Sequence, residues 1–275
     1  MRRRFTVRSA EIMSKVMTDL YYEVSGAGSP VVLAHDALLD CRSWDMQMPT
    51  FTARHRVLRF DARGLGQSPD PHAKFDAVED LLAVMAAGGI QSAHMVGRSA
   101  GAVNMLGAAF RRPSAVRSLT LVAPGIPGSH PKAPANSRWG PWRAAVDAGD
   151  YELAVAEALR LWLVGPDRTL NDIDLGTRET VERLVRDNWA HHTSRNFPAG
   201  EVPLSVQQLG RLRLPVLVIV GGCDESRPKE NARAVTSAIP GARLTIVPNT
   251  GHEPQIEDPT VFNALVLDFL AAVDE

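Results

Sequence analysis

Cysteine is scarce in this chain of 275 residues: only Cys41 and Cys223 occur, and they lie far apart. Two such residues make neither a disulfide framework nor a zinc ligand set. The expected setting is therefore a reducing compartment, the cytoplasm, and each thiol reads as a small packing residue. A charge surplus is also missing. Lys and Arg number 30 against 31 Asp and Glu, a formal charge of -1, which excludes a basic nucleic-acid binder. No apolar run reaches the roughly 18 residues a membrane span requires, so no membrane partner is expected. What is present is a globular composition, 45% hydrophobic and 22% charged. That length and content can bury a sizeable core, and one large α/β domain carrying an insertion suits them better than two equal halves.

Arg2-Arg3-Arg4-Phe5 has the look of a twin-arginine signal, but Arg8, Glu11, Lys15 and Asp19 interrupt the apolar stretch that should follow. Residues 1–16 hold five basic side chains and one acidic one. They read as a loosely ordered, flexible tail, with the domain beginning at Met17.

From there short apolar runs alternate with helical periodicity. Leu20–Val24, Val31–Ala34, Val57–Phe60, His94–Val96, Leu119–Val122, Val216–Val220 and Leu244–Val247 read as strands. Several are apolar at consecutive positions, as expected of strands covered on both faces. Helices are expected at Asp76–Ala87 with Asp76 as N-cap, at Ala100–Arg112 before Pro113, and at Thr260–Val273 after Asp258-Pro259. This alternation predicts a doubly wound, mostly parallel α/β sheet. Residues 17–129 and 204–275 form its core. Residues 130–203 lack a convincing strand and carry helical patterns at Trp142–Ala148, Tyr151–Val164 and Arg178–Ala190, which predicts a helical lid.

Gly97-Arg98-Ser99-Ala100-Gly101 stands between the fourth strand and the following helix. A sharp strand-to-helix turn strains the backbone of Ser99, needs small residues two places away on either side, and exposes the hydroxyl above a helix N-terminus. Ser99 is therefore the candidate nucleophile. A serine needs a base held by a carboxylate, in the chain order serine, acid, histidine. His252 follows the last strand and Asp224 follows the sixth, with Glu225 as the neighbouring alternative acid. The oxyanion donors are expected at the N–H groups of Ala100 and of Ala37, in the loop His35-Asp36-Ala37-Leu38.

Together, Val31–Ala37, Phe60–Ser68, Gly97–Gly101, Asp224 and Gly251-His252 resemble the α/β-hydrolase superfamily, over a span from Met17 to the C-terminus. The nearest likeness is to bacterial esterases and 3-oxoadipate enol-lactonases. The resemblance implies a triad of Ser99, Asp224 and His252, and a structural rather than catalytic role for Asp61 and Arg63. One residue departs from that pattern. Asp36 stands where a glycine is expected, a feature shared locally with zearalenone lactonases. A carboxylate beside an oxyanion hole opposes the developing charge unless it points away or is paired; either Arg98 neutralises Asp36, or the two are separate solvated groups.

The substrate-facing candidates are Asp36, Arg98 and the lid tryptophans Trp139, Trp142, Trp162 and Trp189, which suggest an apolar or aromatic acyl pocket. Adjacent His191 and His192 cannot face one ligand site from a helix and read as surface residues. The expected function is a serine hydrolase of carboxylic esters or lactones, with no cofactor or metal and a small molecule as its partner. Exposed lid tryptophans would also suit a homodimer. Two alternatives stay open: a non-hydrolytic lyase, perhydrolase or biosynthetic elimination enzyme, and a small-molecule receptor with an idle triad.

Overall fold

The computed structural model describes residues 18–126, 138–191, 202 and 204–275. The expected tail at 1–16, His192 and the proline-rich entrance to the lid at 127–137 lie outside the described residues.

The seven expected strands are β1 (Tyr22–Ser25), β2 (Ser29–Ala34), β3 (His55–Phe60), β4 (Ala93–Arg98), β5 (Val116–Val122), β6 (Val216–Gly221) and β7 (Arg243–Val247). They form one sheet in the order β1-β3-β2-β4-β5-β6-β7. Only β1 runs antiparallel to its neighbour. The helices are α1 (Met48–Thr52), α2 (Ala77–Ala87), α3 (Ala100–Arg111), α4 (Trp139–Ala148), α5 (Tyr151–Ala158), α6 (Leu175–His191), α7 (Val206–Leu209), α8 (Ser226–Ala238), α9 (Pro254–Glu257) and α10 (Pro259–Asp274).

The consecutive apolar residues of the strands divide between two cores. Val32, Ala34, Val218 and Val220 pack toward α2, α3 and α8. Val31, Leu33, Leu217 and Ile219 pack on the other face, toward Phe51 of α1 and Phe262 and Val266 of α10. Period-two side-chain alternation explains why both sets are apolar: each strand is covered twice. The helix ends follow their caps. Asp76 accepts from the N–H groups of Val78 and Glu79, and Asp258 accepts from that of Val261.

The described lid helices enter between β5 and β6. One expectation is corrected there. Tyr151–Val164 is not a uniform α-helix, because α5 gives way to a π-helical turn at Leu159–Val164. Gly165, at φ 75°, stops it, and an added Cβ there would run into the Cys223 carbonyl. The wide turn lets the chain end against the loop that carries Asp224.

Candidate active site

Ser99 follows β4 and precedes α3 with φ 49° and ψ -108°. A non-glycine residue at that φ is strained, and the strain persists only because the surroundings fix it. The Ser99 N–H donates to the Val122 carbonyl at 2.8 Å. Both flanking glycines are sterically required. A Cβ on Gly97 would lie 2.6 Å from Met105 Sδ and 2.8 Å from the Ala102 nitrogen. A Cβ on Gly101 would lie 2.5 Å from the Ala34 carbonyl oxygen and 2.6 Å from that of His35. Main chain cannot yield as a side chain can. Gly101→Ala is therefore expected to destabilise the protein by about 1–3 kcal/mol or more. Urea unfolding measures this, and a native midpoint would show that the β2 loop can retreat.

Three loops at one sheet edge supply the remaining groups. Asp224, buried past the end of β6, accepts at Oδ2 from His252 Nδ1 at 2.8 Å. Its Oδ1 takes the Glu225 N–H at 2.7 Å. Main-chain bonds join the acid and histidine loops: Gly222 N–H to Val247 O and Cys223 N–H to Thr250 O, each 2.8 Å. Gly221 permits that approach, since a Cβ there would strike the carbonyls of Thr250 and Gly251. With the proton on Nδ1 directed at Asp224, Nε2 of His252 presents a lone pair, as a base requires. Ser99 Oγ makes no hydrogen bond among the described residues. Such bonds commonly tighten only when substrate binds. Glu225, the alternative acid, pairs instead with Arg138 at 2.7 Å.

Ala37 is exposed, and its N–H is not engaged among the described residues. Ala100 opens α3, where an N–H has no intrahelical acceptor. The loop between them is set by His35 and Asp36. His35 Nε2 accepts from the Ala62 N–H at 2.8 Å, so Nδ1 carries the proton and donates to the Asp36 carbonyl at 2.7 Å. Asp36 Oδ1 accepts from the N–H groups of Leu38 and Leu39 at 2.8 and 2.7 Å.

The expected pairing of Asp36 with Arg98 is present, through Oδ2 and Nη2. Arg98 is 0% exposed and Asp36 5%, so their charges are spent on each other rather than offered to a substrate. The sequence reading missed a further partner: Glu253 Oε1 lies 2.7 Å from Arg98 Nη1. Its signal was adjacency to His252. Burial pushes the Glu253 carboxyl up to about 7, against the pull of Arg98. The neighbouring acids Glu257 and Asp224 add to that push.

From the usual 4.5 to about 7 the folded chain holds a proton here that the unfolded chain has released. Stability from this group is therefore full below 4.5 and lost as pH rises to about 7. Native stability minus that of Glu253→Gln is expected to fall by a few kcal/mol over that window, measured by urea unfolding. Glu257, also held high by burial, is present in both proteins, so only the part of its effect coupled to Glu253 enters the difference. Parallel pH curves would refute the assignment.

The lid is fastened to this edge. His252 N–H donates to the Trp162 carbonyl at 2.9 Å. Arg168, unremarked in the sequence, donates to the carbonyls of Asn249 and Leu163 at 2.6 Å and pairs with Glu257 at 2.8 Å. Trp139, Trp142 and Trp162 form an edge-to-face trio with centroids 5.0 to 6.4 Å apart. Trp142 and Trp162 pack in one cluster with Leu38 and Leu39 of the loop after β2 and Ile256 beyond His252. Trp189 packs with Ala145, Val146 and Ala154 instead, alongside Trp142.

Asp61 and Arg63 have structural partners. Asp61 accepts from the N–H groups of Cys41 and Gln67, and Arg63 pairs with Asp19 and Asp80. Asp40, Cys41 and Asp61 bring ligand-type atoms within 4.8 Å of one another. Arg42 and Asn188 already occupy Asp40, and burial pushes the Cys41 thiol up. A cavity of about 320 Å³ beside it is lined by Glu23, Arg42, Gln67 and Asn188 among others, and by none of the candidate catalytic residues. Both cysteines are free thiols. Among the described residues no helix is long and apolar enough to cross a membrane.

Comparisons with known proteins agree with this fold. The family model described as alpha/beta hydrolase fold matches residues 30–259. The "Putative carbamate hydrolase RutD" of Azorhizobium caulinodans is 26% identical over 94% of this chain and 97% of its own. The 2-hydroxy-6-oxo-6-phenylhexa-2,4-dienoate hydrolase of Comamonas testosteroni is 25% identical over 96% of both chains. The enol-lactonase of Burkholderia xenovorans LB400 superposes with a TM-score of 0.76 at 22% identity, covering 92% of this chain and 96% of the other. That last likeness is one of fold.

Proposed function

We propose, from the premise that the chain belongs to the α/β-hydrolase fold family, that it is a serine hydrolase cleaving a carboxylic ester or lactone with an apolar or aromatic portion. His252 Nε2 takes the proton of Ser99 Oγ as the oxygen attacks the carbonyl carbon. The tetrahedral oxyanion is met by the N–H groups of Ala37 and Ala100. His252 then gives the proton to the departing alcohol, leaving an acyl-serine. Water, activated by the same imidazole, releases the acid and regenerates the hydroxyl. For a lactone, acid and alcohol leave as one hydroxy acid.

The observation that carries this reading is Ser99 held at φ 49° at the edge where His252 is anchored to Asp224 at 2.8 Å. The tryptophan trio supports an apolar acyl portion. A carbamate is the second reading, favoured by the name of the Azorhizobium relative. In a carbamate the same attack applies to a carbonyl bearing nitrogen.

The test is a panel of aryl esters, lactones and aryl carbamates, run beside labelling with a serine-directed fluorophosphonate. Ester or lactone turnover with label on Ser99 is expected. Preferred carbamate turnover would move the conclusion to the second reading. Label without turnover points to non-hydrolytic chemistry, and neither label nor turnover to a receptor; either result overturns the proposal.

A further inference from the structure

Arg98 is the residue in this site whose burial asks most for an explanation. Its side chain is 0% exposed, and an isolated guanidinium in such a place would be very costly. It sits at the end of β4, one residue before Ser99, and its planar fork points two ways. Nη2 pairs with Asp36 on the oxyanion loop. Nη1 pairs with Glu253 at 2.7 Å and donates to the His252 carbonyl at 3.1 Å on the histidine loop.

Each carboxylate spends its other oxygen on holding its own loop. Asp36 Oδ1 takes the N–H groups of Leu38 and Leu39, leaving that of the preceding Ala37 unengaged among the described residues. Glu253 Oε2 takes Gln255 Nε2 at 2.8 Å, and the Gln255 carbonyl is bound by Gln47 Nε2 at 2.9 Å. The guanidinium thus bridges the two loops whose groups must converge on one carbonyl. A lysine, as a single point charge, cannot span both carboxylates in this way.

We propose that Arg98 is a positioning residue: through Asp36 and Glu253 it fixes the Ala37 N–H and the His252 imidazole relative to each other around Ser99. The inference rests on the serine-hydrolase reading above. Its action is on geometry in the transition state. Loss of the bridge should lower kcat by about 10²-fold, the cost of a misplacement of about 1 Å, while KM stays near native.

Breaking a buried pair from one side leaves an unpaired charge and unfolds many proteins, whereas neutralising all members is often tolerated. The test therefore uses two variants: Arg98→Lys, and the neutral combination Arg98→Met with Asp36→Asn and Glu253→Gln. For each, ester kcat, KM, fluorophosphonate labelling rate and urea midpoint are measured against the native protein. Expected are a neutral variant with a near-native midpoint, native KM and kcat down about 10²-fold, and Arg98→Lys intermediate in kcat.

A folded neutral variant with native kcat overturns the proposal. So does a kcat that falls in Arg98→Lys only with the urea midpoint and recovers with it in the neutral variant, since the bridge would then be merely structural. If the neutral variant fails to fold, Arg98→Lys decides: native kcat refutes the bridge, and lower kcat at unchanged KM and midpoint supports it. Absence of label on Ser99 in the native protein would remove the serine reading itself. That readout is independent of any Arg98 variant.

Discussion

Ser99→Ala and His252→Ala are each expected to lower kcat by about 10⁶-fold, and the double variant by no more than either alone. The factor corresponds to about 8 kcal/mol of lost transition-state stabilisation. It is non-additive because neither group acts without the other: the imidazole has no proton to take when the hydroxyl is gone, and the hydroxyl stays a weak nucleophile without the base. Some acceleration over water should survive in both variants, since the N–H groups of Ala37 and Ala100 still bind the oxyanion. Both substitutions are small. Ser99 already tolerates φ 49°, and alanine has no greater bulk. Steady-state rates on the preferred ester, with active-site titration to exclude contaminating enzyme, decide the matter. A Ser99→Ala protein retaining a tenth of native kcat would end the acyl-serine mechanism.

Asp224→Asn carries the second largest expected effect, a fall in kcat of about 10⁴-fold with the fold intact. Asparagine has the same shape and keeps an oxygen for the Glu225 N–H now bound at 2.7 Å. Its amide would donate to His252 Nδ1, where Asp224 now accepts at 2.8 Å. The imidazole proton then resides on Nε2, which can no longer take one from Ser99. Glu225 cannot stand in for the lost carboxylate, because its ion pair with Arg138 draws it to the lid. Unchanged far-ultraviolet dichroism beside the lost rate would confirm that the tautomer, and not folding, is at fault. Activity within tenfold of native would assign the orienting role to another acid.

Much of this arrangement was legible before any coordinates. Consecutive apolar residues marked β2 and β6 because both their faces are covered, and proline, glycine and aspartate marked the ends of α2 and α10. The strained turn at Ser99 was readable because its steric demand falls on two glycines at fixed spacing. What escaped notice has physical reasons. α8, Ser226–Ala238, buries only Pro228, Ala232 and Val235, too little apolar mass to stand out among its charged neighbours. The π-helical turn at Leu159–Val164 has side chains that continue the preceding helix well enough, and its widening answers a close approach to the Cys223 carbonyl that sequence does not encode locally. Glu253 looked like one more polar loop residue. Its charge partner Arg98 lies far away in the chain, and only tertiary folding brings the two together. Trp189 shared a segment with the other lid tryptophans but not their packing environment.

The bond from His252 to the lid has a consequence for redesign. Trp162 steadies the imidazole loop through its carbonyl oxygen, while its indole joins the ring trio. Any amino acid at 162 offers the same main-chain acceptor. On the proposed function, exchanging the ring is expected to change which acyl groups are accepted while the main-chain acceptor for the His252 N–H stays in place, so selectivity and turnover would reside on different atoms of one residue.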